Sequence, residues 1–75
     1  NPNPFKNKTT IKIKTEKKIS DYSFILYDLY GKIIRKQNFY YNHFELERNN
    51  LPPGMYIYKI YYSEGILGFG KLIVE

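Results

Sequence analysis

The sequence predicts an all-β chain folded as a compact antiparallel sandwich of about six to seven short strands, with no helices. Apolar residues recur with a period of two, and no stretch carries the 3.6-residue period of an amphipathic helix. β-Branched and aromatic residues dominate the periodic stretches, and the 75 residues include nine Tyr and five Phe. Turn signals separate these stretches at close intervals, as in a sandwich. With no helical connection between strands, parallel βαβ units are excluded.

Each element can be read in order. In TTIKIKT (9–15), Ile11 and Ile13 alternate with Lys12 and Lys14, a half-buried strand with a lysine-lined outer face. TEKK is a polar turn. DYSFILYD (21–28) puts Tyr22, Phe24 and Leu26 on one face, while Ile25 and Tyr27 leave the other only partly polar. YGK turns the chain at Gly31, a residue that tolerates positive φ. KIIRKQNF (32–39) follows, and HFELE (43–47) sets Phe44 and Leu46 against His43, Glu45 and Glu47. NNLPPG is the strongest breaker. MYIYKIYY (55–62) is a long strand, SEG a hairpin turn, and ILGFGKLIVE (66–75) the last strand.

One small domain is all this length allows, and such a chain buries little surface and is marginal in stability. There is no Cys, so the core must come from apolar and aromatic side chains, and the redox compartment is unreadable. No apolar run reaches the roughly 20 residues of a membrane span, so no direct membrane insertion is expected. No signal-peptide pattern is present, and a chain that starts Asn-Pro reads as a piece of a longer protein. The net charge of +5 is uneven. Residues 1–18 hold six Lys against Glu16, and the remainder sums to zero.

Several chemistries are disfavoured. GILGFGKL has the glycine and lysine spacing of a phosphate-binding loop, but Leu72 replaces the magnesium-binding hydroxyl residue and no helix can follow. Gly65 reads as a turn, and Gly68 and Gly70 as sites of a bend or bulge. His43 is the lone His, three Ser lack a base, and no pair of carboxylates is nominated by spacing. No catalytic residue, metal site or cofactor is therefore expected, and the domain is not an enzyme on this reading. The lysine cluster raises nucleic acid, yet no recognition motif accompanies it; a lysine-protected edge strand is the simpler reading, and no nucleic-acid partner is expected. NKT (7–9) matches a glycosylation sequon, relevant only in a suitable host. A carbohydrate-binding module of a secreted hydrolase is the main alternative, with Tyr40, Tyr41, Tyr61 and Tyr62 as its candidate platform.

LPPGMY is more telling. In immunoglobulin-like sandwiches a Tyr at such a corner sends its hydroxyl back to the backbone a few residues upstream. Tyr56 is placed for that role.

Four stretches occur in order: NPNPF at the start, YDLYGK in the middle, LPPGMYIYK after it, and GKLIVE at the end. Together they resemble the type A C-terminal sorting domain of the type IX secretion system of Bacteroidota, over nearly the whole chain. The resemblance implies an immunoglobulin-like sandwich that directs an attached upstream cargo across the outer membrane. It implies passage through the periplasm and then location at the cell surface or outside the cell. The implied partners are translocon and shuttle components and a sortase-like cysteine protease that cuts the domain off. Carried over, the motifs fall on Pro2, Asn3, Pro4 and Phe5; on Tyr27, Asp28, Gly31 and Lys32; on Leu51, Pro52, Gly54 and Tyr56; and on Gly70, Lys71, Leu72, Ile73 and Val74. Asn1 stands where the family often has a large residue, and Pro53 where many members have a small polar one. The family is cut upstream of the first motif, so the scissile bond is expected to lie outside this chain.

Each motif also has a purely structural explanation: Asp28 and Gly31 can shape a turn, and Leu72 and Val74 belong to a core. Recognition then falls to what folding leaves exposed, namely the edge of the terminal strand with Lys71 beside it. Residues 1–8 form a proline-stiffened extended lead-in and residues 9–75 the sandwich. Two expectations follow for measurement. Phe5 is buried and residues 2–5 are ordered. Tyr56→Phe loses about 1 kcal/mol, the net worth of one hydrogen bond, read as a lower melting temperature; superimposable melting curves remove the corner.

Overall fold

The computed structural model describes residues 4–75, which form six strands: β1 (Lys8–Lys12), β2 (Tyr22–Tyr27), β3 (Ile33–Phe39), β4 (His43–Glu47), β5 (Gly54–Tyr62) and β6 (Gly65–Val74). All pairings between them are antiparallel. One sheet has the order β3-β2-β5-β6, and β1 pairs with β4 in a second, two-stranded sheet. The result is the expected all-β sandwich, without helices among the described residues.

The period of two sets the inside of both sheets. Tyr22, Phe24 and Leu26 of β2 face inward, as do Phe44 and Leu46 of β4 and Ile11 of β1. The two layers meet through aromatic rings. Phe44 packs edge-on against Phe24 with ring centroids 5.0 Å apart, and lies 4.3 Å from Phe39. Phe39 stacks in turn on Tyr22 at 4.9 Å. Such ring pairs add roughly 0.5–1.5 kcal/mol beyond their buried area, which matters in a domain with so small a core.

Two arginines tie the sheets at one end. The Arg35 guanidinium of β3 donates to the carbonyls of Glu47 and Arg48, at the end of β4. Arg48 donates through Nε to the Leu51 carbonyl (3.1 Å) and through Nη1 to that of Lys6 (3.1 Å). Neither role has a signature in the sequence.

The start of the described chain is held as well. Phe5 is 4% exposed and forms a parallel bridge with Val74. Its N–H donates to the Ile73 carbonyl (3.0 Å), and its carbonyl accepts from the Glu75 N–H (2.9 Å). The expected burial of Phe5 is thus observed, while the part of that expectation concerning Pro2 and Asn3 lies outside the described residues.

Gly68 and Gly70 differ from their expected common role. The β5–β6 register slips between Ile60 and Tyr61, where Ile60 faces Gly68 but Tyr61 faces Ile66. A bulge therefore sits beside Gly68, as expected. Gly70 has a separate reason: it faces Tyr58, and a Cβ on it would stand 2.6 Å from the Tyr58 ring. The bare backbone is what lets that ring lie flat across the strand. Gly70→Ala is expected to cost about 1–3 kcal/mol, the range for overpacking. The same change in a Tyr58→Ala background should cost much less, and additive losses in urea unfolding would exclude the ring as the cause.

Candidate functional site

The four motif stretches converge on one end of the sandwich. Tyr27 faces Ile57 at the end of β2, Gly54 faces Val74, and Phe5 bridges to Val74. The β2–β3 turn, the β4–β5 turn, the end of β6 and the lead-in therefore share that end.

The β2–β3 turn is organised by Asp28. Its Oδ1 accepts from the N–H groups of Tyr30 (2.9 Å) and Lys32 (3.0 Å). Its own N–H donates to the Lys32 carbonyl, and its carbonyl accepts from the Gly31 N–H (3.1 Å). Gly31 has φ +86°, a region that glycine enters without cost. Asp28 and Gly31 thus act as expected of turn formers, and the Lys32 side chain stays in solvent.

Around the β4–β5 turn, Leu51 is buried and its N–H donates to the Arg48 carbonyl (3.0 Å). Pro52 is exposed, but its carbonyl accepts the Tyr56 hydroxyl at 2.6 Å. This is the predicted tyrosine corner, with the ring itself buried. Gly54 has φ +147°, which a side chain would strain.

At the last motif, Leu72 and Val74 are core, Ile73 is half-buried and Lys71 is exposed. At Ile73 and Glu75 the edge of β6 is taken by Phe5. Pro4 is exposed, and Pro2 and Asn3 lie outside the described residues. Nearly every described motif residue therefore builds the fold, while the side chains of Pro4, Lys32 and Lys71 are exposed.

Other candidates are dispersed. Residues 65–74 run as one strand, which is not the geometry of a phosphate-binding loop. His43 is exposed, with Nδ1 3.3 Å from the Asn42 side-chain oxygen. Tyr40 and Tyr41 are exposed between β3 and β4, whereas Tyr61 and Tyr62 are successive residues of β5 and point to opposite faces. The four tyrosines do not form one flat row.

Asp28→Ala removes the acceptor of two backbone N–H groups and is expected to destabilise the domain by about 1–3 kcal/mol. Amide hydrogen exchange should accelerate first at Tyr30 and Lys32; unchanged protection there would show that the turn holds without the carboxylate.

A search of curated proteins and of solved structures returns no significant match. The family model described as a secretion system C-terminal sorting domain matches residues 1–75. The chain belongs to that family, the C-terminal sorting domains of type IX secretion.

Proposed function

We propose that this domain is the export label of an upstream cargo and works as a substrate of the export machinery, not as a catalyst. It is read in its folded state in the periplasm, by shuttle or translocon components. It directs the cargo through the outer membrane, and a surface cysteine protease of sortase type then cuts upstream of the first motif. The cargo is released or joined to a surface glycolipid. The observation that carries this reading is the family match along the whole chain.

The fold supports it in two ways. The core closes around apolar and aromatic side chains in a chain without Cys, so its folding does not wait on disulfide formation. The chain is pinned at Phe5 by two backbone hydrogen bonds, to Ile73 of β6 and to Glu75 just after it, so the side of the domain from which an upstream cargo would extend is fixed by the fold.

Fusing the domain behind a signal peptide and a fluorescent reporter, in a cell with a working type IX system, tests the assignment. The reporter is expected at the surface or in the medium, and in the periplasm when residues 70–75 are deleted. Because that deletion also removes the core residues Leu72 and Val74, Lys71→Glu is the companion variant that spares the core. Retention of the intact fusion in the periplasm contradicts the export reading.

A further inference from the structure

The two-stranded sheet covers one face of the four-stranded sheet and leaves the other bare. A bare antiparallel face is ordinarily polar. This one is not. The register aligns a cross-strand row of Lys36, Ile25, Lys59 and Phe69, and the next row sets Tyr27 beside Ile57. On the edge strand β6, Phe69 is 78% and Ile66 55% exposed, and Ile33 on the far edge strand β3 is 49% exposed. Half-buried Ile25, Ile57 and Tyr27 lie between the two edges, and an apolar face of this kind marks a contact surface.

The charge on this sheet has one sign. The outer face carries Lys36, Lys59 and Lys71, Arg35 being turned to the other layer, and the four strands contain not one Asp or Glu. Lys59 stands between Ile25 and Phe69 in that row, its ammonium 5.2 Å from the centre of the Tyr27 ring. The Tyr27 and Tyr61 hydroxyls lie 3.5 Å apart. That hydrogen bond first, then burial and the neighbouring Tyr61, raise the Tyr27 pKa above the ordinary phenol value. The exterior of the β1–β4 sheet is the contrast: Lys8, Lys12, His43, Glu45 and Glu47 mix both signs, Lys8 pairs with Glu45 at 3.5 Å, and no large apolar residue is exposed. That exterior is a solvated surface; the other is built for contact.

The charges also select the occupant. A second copy would bring lysines against lysines. A bilayer interface favours a continuous apolar face with its cations on the polar side, whereas here Lys59 stands between Ile25 and Phe69. A protein surface with carboxylates around an apolar centre fits both the lysines and the rings. The face spans roughly 400 Å² from strand spacing and rise, about half of what a stable partner covers, which suits a contact made and then released.

We infer that the outer face of the four-stranded sheet is where the export machinery holds this domain, through a partner surface whose carboxylates meet Lys36 and Lys59 around an apolar centre that receives Phe69. This rests on the export reading above. The test uses the same reporter fusion. Lys36→Glu and Phe69→Ser change exposed side chains, and each is expected to lower surface delivery by about tenfold, the effect of one lost interface anchor. Lys36→Arg should keep delivery, as should Lys12→Glu combined with Lys14→Glu, which reverses two charges on the other layer. Melting temperatures of the purified domains show that each variant is folded. Delivery of both face variants at the original level overturns the inference and leaves the export reading intact. Failure of the unaltered fusion overturns both. Equal losses from the Lys12 and Lys14 reversals point to net charge and overturn the face. Tight binding of the purified domain to phosphatidylcholine–phosphatidylglycerol vesicles, lost in Lys36→Glu, overturns the protein partner in favour of lipid.

Discussion

A two-stranded sheet has little stability of its own in water, so β1 and β4 exist because the larger sheet gives them something to lie on. The contact that provides it is the ring of Phe44 set against Phe24 and Phe39. Everything else is arranged around that contact. β1 is held through its pairing with β4. The Arg35 and Arg48 guanidiniums satisfy carbonyls where β4 ends, which fixes the chain as it leaves one sheet for the other. Without the rings, those hydrogen bonds would have no fixed geometry to close.

The family motifs take on a different meaning in this frame. Phe5, Leu51, Tyr56, Leu72 and Val74 are buried, Asp28 and Gly31 set a turn, and Gly70 makes room for Tyr58. A sequence pattern defined by such residues records how the domain folds. Contact with other proteins is left to side chains that the fold turns outward, inside the motif stretches, as Lys59, or outside them, as Lys36 and Phe69.

Most strands were legible in the chain because the period of two is a local signal, clearest in β2 and β4; β3 has no such alternation and was marked by the turn signals around it, and β1 begins and ends earlier than TTIKIKT suggested. Phe5 and the Tyr56 corner were legible because proline and the LPPG turn restrict the backbone nearby. What was not legible is what depends on register. The strand order β3-β2-β5-β6 brings Gly70 under Tyr58 and Lys36 into line with Lys59, and no pattern along the chain encodes those neighbours. Arg35 and Arg48 bond to backbone carbonyls, which carry no side-chain signature. Summing charge along the chain made residues 19–75 neutral, whereas the fold puts only positive charges within the strands of one sheet and leaves the carboxylates to β4 and to the strand ends and turns. The partly apolar phase of Ile25 and Tyr27 was the one visible trace of that face.

The bridge between Phe5 and Val74 joins residues from opposite ends of the domain. Contacts of such long range form late, since nearly the whole chain must be ordered before the loop between them is closed. During synthesis, Phe5 has no seat until β6 has emerged. A product that stops before Val74 keeps an aromatic ring in water and a slack joint where a cargo would be attached. The seat of Phe5 and the order of β6 are therefore one event: the joint closes only when that strand is in place.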